Sequence, residues 1–313
     1  MNILIIGGNG FIGGHLVESL KTQHSITVFD RSPNRFKKEH PEVHYVYGDY
    51  NEWKKHSHIL KDQDIVFHLI STTVPYTANL DPINDVQSNL LTTLHLLEDL
   101  DKYDIQRFIY TSSGGTVYGN PNYLPIDEKH PCQPIGSYGI VKNCIENYVR
   151  MYASRFSFSY LIVRPSNPYG PGQNFRGNQG LIAKLLFKSH TQEEMVIWGD
   201  GTAVRDYIYI KDLVDFLKVA GLSNISGTYN IGSGLGKSIN EIVELLAPIV
   251  PKLPPLKYSP TDKSIVQEVV LDISAAKENF SWEPQVKMEQ GLLLQKDWID
   301  RHIESNIENI EAQ

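Results

Sequence analysis

The tightest constraint on this chain lies in its first thirteen residues. Ile3-Leu4-Ile5-Ile6 is an uninterrupted apolar run, the pattern of a strand covered on both faces, and it leads straight into Gly7-Gly8-Asn9-Gly10-Phe11-Ile12-Gly13. Glycines this dense after a buried strand permit a tight turn. Phe11 to Leu20 then carries apolar residues at helical spacing, and Ile26-Thr27-Val28-Phe29 closes the unit as a second strand.

Further β-rich runs stand at Val43 to Tyr47, Ile65 to Leu69, Arg107 to Tyr110 and Tyr160 to Val163. Amphipathic stretches separate them, among them Asp85 to Leu100 and a helix from Ser137, where Ile145, Tyr148, Val149 and Tyr152 follow at helical spacing. This alternation predicts an α/β fold, a Rossmann-type doubly wound parallel sheet. After Arg164 the texture changes: Pro165, Pro168, Gly170, Pro171, Gly172 and Gly177 crowd together, which marks a crossover. At about 150 residues per domain, 313 residues suggest two. Residues 1–165, with a returning segment near 205–231, are expected to form the dinucleotide domain, and 166–313 a smaller, mostly C-terminal α/β substrate domain. The second part predicts helices near 179–190, 211–221 and 238–249 and strands near 194–198, 206–210 and 227–231. A strand–helix pair follows from Val269 to Phe280, and the polar, acidic end from about Ile303 is expected to fray.

Composition narrows the function classes. The net charge of −7, from 29 basic and 36 acidic residues, speaks against nucleic acid and anionic membranes as partners. No apolar run reaches the roughly 18 residues of a membrane helix, and the N-terminus lacks the basic and apolar regions of a signal peptide. Two cysteines, Cys132 and Cys144, make neither a disulfide framework nor a zinc site. His56-Ser57-His58 has no ligand set around it, so no metal is expected. A cytoplasmic protein is the expectation.

Gly8 to Gly13 fits GxGxxG, and Gly7, Gly10 and Gly13 fit the related GxxGxxG spacing. Between a strand and a helix, such a turn lets a pyrophosphate approach the helix N-terminus, so Gly7, Asn9, Gly10, Phe11, Ile12 and Gly13 are candidate dinucleotide contacts. Asp30 ends the second strand near the spacing of the carboxylate that binds the adenosine ribose and repels a 2′-phosphate. That favours NAD over NADP, although the adjacent Arg31 would suit a phosphate.

Tyr138 and Lys142 stand i, i+4 on the predicted helix, one turn apart on the same face. A free phenol is a poor base at neutral pH, and a neighbouring ammonium favours the phenolate. Upstream, Thr111-Ser112-Ser113 puts hydroxyls at a strand end. Together with the glycine turn, the pair reads as a proton-transfer site beside a nicotinamide cofactor.

The chain resembles the extended short-chain dehydrogenases/reductases that modify nucleotide sugars, the nucleotide-sugar epimerase/dehydratase group. The likeness spans nearly the whole chain. It rests on Gly7 to Gly13, Asp30, Gly48-Asp49, His68-Leu69, Asn89, Ser113 to Gly119, Tyr138 with Lys142, Arg164 to Gly172, and Gly199-Asp200-Gly201 to Arg205-Asp206-Tyr207. The resemblance implies that Asp49 and Tyr50 flank the adenine and that Leu69, Ser71 and Pro165 line the cofactor. It implies Tyr138 as acid/base at the sugar C4 hydroxyl, Lys142 as holder of the nicotinamide ribose, and Asn167 and Arg205 on the substrate pyrophosphate. It also implies a homodimer and a role in polysaccharide biosynthesis.

Two positions depart from the family pattern. Gly114 stands where a catalytic Ser or Thr is usual; Ser113 and Thr116 are the candidate replacements, with Ser113 preferred. Asp262 stands where many relatives place an arginine against the nucleotide phosphates. Gly115-Thr116 also replaces the acidic residues that dehydratases and decarboxylases carry before Val117-Tyr118-Gly119. The resulting expectation is a nucleotide-sugar 4-epimerase acting on a UDP- or dTDP-hexose through a transient 4-keto sugar with tightly bound NAD. The alternatives are an NAD(P)H-dependent reductase of a 4-keto-6-deoxy nucleotide sugar and a non-catalytic dinucleotide-binding module.

Overall fold

A computed structural model describes residues 1–177, 179–260 and 266–311, with side chains up to residue 303. Asp262, and with it the departure noted above, lies outside the described residues. The chain forms strands β1 (Asn2–Ile6), β2 (Ser25–Asp30), β3 (His44–Tyr47), β4 (Ile65–His68), β5 (Arg107–Thr111) and β6 (Ser159–Pro165), then β7 (Asn167–Tyr169), β8 (Met195–Trp198), β9 (Val204–Tyr209), β10 (Gly227–Ile231), β11 (Gly236–Ser238), β12 (Leu256–Ser259) and β13 (Glu268–Val269). The longer helices are α1 (Phe11–Leu20), α2 (Thr92–Lys102), α3 (Ser137–Phe156), α4 (Leu181–Thr191), α5 (Ile210–Gly221), α6 (Ile239–Leu246), α7 (Ser274–Phe280) and α8 (Met288–Glu311).

Seven strands make one parallel sheet in the order β10-β6-β5-β4-β1-β2-β3. The order reverses between β1 and β4, and the crevice at such a switch point is where ligands sit in sheets of this kind. Strand alternation sends neighbouring side chains to opposite faces. Leu4, Ile6, Val66, Phe108 and Ile162 pack with Leu96, Leu97, Ile145 and Val149 of α2 and α3. Ile3, Ile5, Phe67, Ile109 and Leu161 pack on the other face with Leu16 and Leu20 of α1 and with Leu213, Phe216 and Leu217 of α5. Apolar cover on both faces explains why these strands read as continuous hydrophobic runs.

β10 reaches the sheet edge only after the chain has built β7 to β9 outside it. β9 pairs with β7, β11 and β13, and β8 pairs with β12. The Pro/Gly-rich stretch folds back on α1, where the Pro171 carbonyl lies 2.7 Å from His15 Nε2. The stretch expected to be one helix from Asp85 to Leu100 is helical throughout, running without a gap from Pro82 through a π-helical segment at Val86–Leu91 into α2, and a separate short helix at Pro75–Leu80 precedes it. At the C-terminal end α8 is helical to Glu311.

Candidate active site

The glycine turn is required by its packing. Gly7 has φ +86°, and a Cβ there would lie 2.9 Å from the Ile70 backbone nitrogen; one at Gly13 would lie 2.2 Å from the Gly7 carbonyl oxygen. Only glycine allows β1 to turn this tightly against the end of β4 and into α1. The cap position of α1 is Gly10, with no side-chain cap, so the first-turn N–H groups point into the switch-point crevice, as an anion site requires. Asp30 closes the turn at the end of β2. Its carboxylate accepts from the Asn9 and Arg31 backbone N–H groups at 2.9 and 2.7 Å. Asn9 is tied further, its side-chain amide donating to the Ser32 carbonyl. Phe11 and Ile12 are half-buried at the start of α1, and Arg31 is exposed beside Asp30.

The other candidates for dinucleotide binding are placed unevenly. Asp49 is exposed and caps a short turn through the Asn51 N–H. Tyr50 is buried, its hydroxyl 2.7 Å from His68 Nε2 and 3.0 Å from the Thr93 hydroxyl, so only its backbone is left for a ligand. Leu69 is half-buried beyond β4, and the Pro165 carbonyl accepts from the Gly114 N–H.

Tyr138 and Lys142 sit in the first turns of α3. Lys142 is buried, donates to the Thr111 carbonyl at the end of β5 at 2.8 Å, and holds its ammonium 5.6 Å from the Tyr138 ring centre. Burial lowers its pKa to about 8, while Asp85 and Glu146 act in the opposite direction. The Tyr138 phenol is pushed up to about 12, first by burial, with Asp85 adding to the rise and a hydrogen bond between it and Ser71 opposing it. The expectation that the ammonium brings this phenol toward neutrality is therefore corrected: burial outweighs it. Ser71 also donates to the Thr73 carbonyl. A small cavity between β4, β5 and α3 is lined by Ser71, Asp85, Asn89, Tyr110, Tyr138 and Lys142, among others.

The loop after β5 explains the missing hydroxyl at residue 114. A Cβ on Gly114 would meet Leu271 Cδ1 at 2.6 Å and the Arg164 carbonyl oxygen at 3.0 Å. Of the two replacements, Ser113 is half-buried. The Thr116 hydroxyl is buried with no partner among the described residues. The Thr116 carbonyl also packs against Gly139, next to Tyr138.

Beneath the loop lies a buried polar network that the sequence did not single out. Glu146, one turn beyond Lys142, accepts side-on from Arg164, at Oε1 from Nε at 2.9 Å and at Oε2 from Nη2, and Oε1 also accepts from the Ser112 hydroxyl at 2.6 Å. Arg164 Nη1 donates to the Tyr118 hydroxyl, which in turn donates to Asn230 on β10. Arg164 stays charged because Glu146 offsets its burial. The Glu146 spacing from Lys142 was visible in the sequence, but its partners Arg164 and Ser112 come from β6 and the end of β5, and only the fold unites them.

Asn167 and Arg205 lie on the neighbouring strands β7 and β9. Asn167 registers with Tyr207, two residues past Arg205, so these positions share one face of the small sheet. The Asn167 amide donates to the Asp206 carbonyl and Arg205 Nη1 to the carbonyls of Val204 and Gln267. Among the described residues no cluster suited to a metal ion occurs.

Comparison with known proteins decides the family. The sequence signature of the NAD dependent epimerase/dehydratase family matches residues 3–232. The chain belongs to this family. The crystal structure of a UDP-glucose 4-epimerase from Thermotoga maritima with UDP-glucose is 33% identical at a TM-score of 0.91, covering 97% of this chain and all of its own. A UDP-glucose 4-epimerase of Thermus thermophilus in complex with NAD is 26% identical at a TM-score of 0.90, covering 96% of this chain and 99% of its own. An Escherichia coli dTDP-4-dehydro-6-deoxyglucose reductase is 29% identical over 93% of this chain and 95% of its own. As a member of an NAD-dependent family with the Rossmann-like sheet of these epimerases, the chain has the fold and cofactor expected from its glycine turn.

Proposed function

We propose that this protein is a nucleotide-sugar 4-epimerase, acting on a UDP- or dTDP-hexose with NAD held throughout the cycle. The observation that carries the reading is the convergence of Tyr138, Lys142 and Ser71 at the ends of β4 and β5, directly beside the glycine turn of β1. The cradle formed at Gly7, Gly13 and Asp30 fits a dinucleotide, and a carboxylate at residue 30 suits NAD. When bound, oxidised nicotinamide supplies a hydride acceptor that returns the hydride, and a positive charge that opposes burial at Tyr138. Tyr138 takes the C4 hydroxyl proton as the sugar is oxidised at C4 and gives it back after the 4-keto sugar has presented its other face. Lys142, anchored on Thr111, holds the cofactor ribose and favours the phenolate. Thr116 is the better candidate than Ser113 to orient the C4 hydroxyl, since its buried hydroxyl has no other partner described. Residues 1–165 with β10 hold the cofactor, and 166–313 hold the nucleotide sugar, with Asn167 and Arg205 on its pyrophosphate; guanidinium geometry suits that anion.

A homodimer is part of the proposal. Leu80, Ile83 and Leu91 are exposed on the helical stretch before and into α2, and Ile140, Tyr148 and Met151 form an exposed stripe along α3, which packs beside it. Two adjacent helices with outward apolar residues suit pairing with a second copy as a four-helix interface. A cytoplasmic setting and a role in polysaccharide biosynthesis fit an enzyme that consumes and releases activated sugars; no helix among the described residues is long and apolar enough to cross a membrane.

The test is to denature purified protein, identify any released dinucleotide, and incubate intact enzyme with UDP- and dTDP-hexoses. The expected result is bound NAD and C4 interconversion without added cofactor. NAD(P)H consumed in proportion to a 4-keto sugar makes the protein a reductase instead. Tyr138→Phe is expected to lower kcat by about 10²–10⁴-fold without emptying the cofactor site. Full turnover in that variant sinks both enzyme readings.

A further inference from the structure

One buried charge in the site is used by no step above. Asp85 is 1% exposed and ends the short helix Pro82–Asp85. Its Oδ1 accepts from the Thr73 hydroxyl at 2.6 Å and from the Asn89 amide at 2.9 Å, and its Oδ2 accepts from the Ser137 hydroxyl at 2.7 Å. Ser137 is the first residue of α3, immediately before Tyr138. Asp85 also lines the same small cavity as Tyr138 and Lys142. A buried carboxylate is costly unless charge and hydrogen bonds compensate it. The three donors are neutral, and Asp85 makes no ion pair within 4 Å among the described residues.

The groups around Lys142 narrow the choice of a countercharge. On its own helix stand Tyr138 and Glu146; Tyr110 faces it from β5 and His68 from β4, with Tyr50 behind His68. His68 is neutral at working pH, its pKa lowered to about 3 chiefly by burial, and the Tyr110 and Tyr50 phenols are held protonated by burial. Glu146 is already bonded to Arg164, Arg150 and Ser112. That leaves one carboxylate in the cavity without a cation of its own.

We propose that Asp85 is the countercharge of Lys142, a positioning residue that keeps the buried lysine an ammonium and, through Ser137, fixes the start of the tyrosine-bearing helix. The direction of the electrostatics agrees, since Asp85 is first among the groups that oppose the burial effect on Lys142. It also raises the phenol of Tyr138. A neutral residue 85 would therefore move both titrations toward lower pH. This inference rests on the reading of Tyr138 and Lys142 as the proton-transfer pair, but its central claim is about charge and can be measured without a substrate.

Asp85→Asn removes the charge and keeps the bonds: its oxygen still accepts from Thr73 and Asn89, and its amide donates to the Ser137 hydroxyl, which can accept. In protein carrying ¹³Cε-lysine, with the Lys142 signal assigned by its loss in Lys142→Met, the expected result is a fall of about one pH unit in the Lys142 titration. Ser137→Ala, which cuts one hydrogen bond and no charge, leaves that titration in place. Asp85→Ser, which also removes the charge and leaves a hydroxyl in its place, lowers the Lys142 titration likewise and reads the coupling if Asp85→Asn does not fold. The basic limb of the epimerisation pH profile moves to lower pH in Asp85→Asn as well. An unmoved Lys142 titration in Asp85→Asn, or in Asp85→Ser, overturns the proposal. Absence of epimerisation in the parent protein, with the titrations moving as stated, removes the functional reading and leaves the charge pair standing.

Discussion

His68 shows how a single buried side chain sets a pH dependence. Its Nε2 meets the Tyr50 hydroxyl and its Nδ1 has no partner among the described residues, so the folded protein holds it neutral with a pKa lowered from 6.5 to about 3. Between those values the unfolded chain binds a proton that the folded chain refuses. The stability contributed by the neutral ring is complete above pH 6.5 and is lost as pH falls toward 3. One such group gives a slope of about 1.4 kcal/mol per pH unit. His68→Gln is expected to reduce the slope between pH 6.5 and 4 by that amount, read from urea midpoints across the pH series. An unchanged slope shows that His68 charges freely in the native state. Tyr138 and Lys142 were legible because their chemistry is written in a local spacing of one helical turn. Asp85 and Glu146 were not, since what distinguishes them is burial and partners contributed from distant elements; Thr116 was a candidate ranked behind Ser113, because its unpartnered buried hydroxyl shows only in the fold.

The loop from Ser112 to Gly119 carries two further expectations. Restoring the hydroxyl usual in the family by Gly114→Ser drives a Cβ into Leu271 and is expected to cost about 1–3 kcal/mol. In a Leu271→Ala background the added cost shrinks, giving a coupling of about 1 kcal/mol or more in a double-mutant cycle. Additive effects contradict the steric account. Glu146→Ala strands the Arg164 guanidinium beside Tyr118 and Cys132 and takes away the acceptor of the Ser112 hydroxyl. Its expected cost is about 3–5 kcal/mol in equilibrium denaturation, and a cost under 1 kcal/mol means the guanidinium finds water or another partner. Among whole elements, β1, β2, β4, β5 and β6 were readable because cover on both faces leaves a continuous apolar run. The three-residue strands β7 and β11 and the two-residue β13 leave no periodicity to read, and the π-helical widening at Val86–Leu91, inside a helix that the apolar spacing shows as continuous, leaves no mark in that spacing.

At the level of the whole molecule, the exposed stripe on α3 predicts the assembly. Met151→Glu, at a position 47% exposed and remote from the cavity, is expected to convert a dimer into a folded monomer in sedimentation velocity. A monomeric parent protein rules the four-helix interface out. The order of the large sheet has a consequence in time. β10, the edge strand beside β6, begins 62 residues after β6 ends, so a ribosome making this chain delivers six strands of a seven-stranded sheet well before the last. During that interval the nascent sheet presents the bare edge of β6, and Arg107 waits for the carbonyls of Ala220, Gly221 and Ile225 that its guanidinium binds in the finished fold. The seven-stranded sheet is thus completed on the ribosome only after β7 to β9 have emerged.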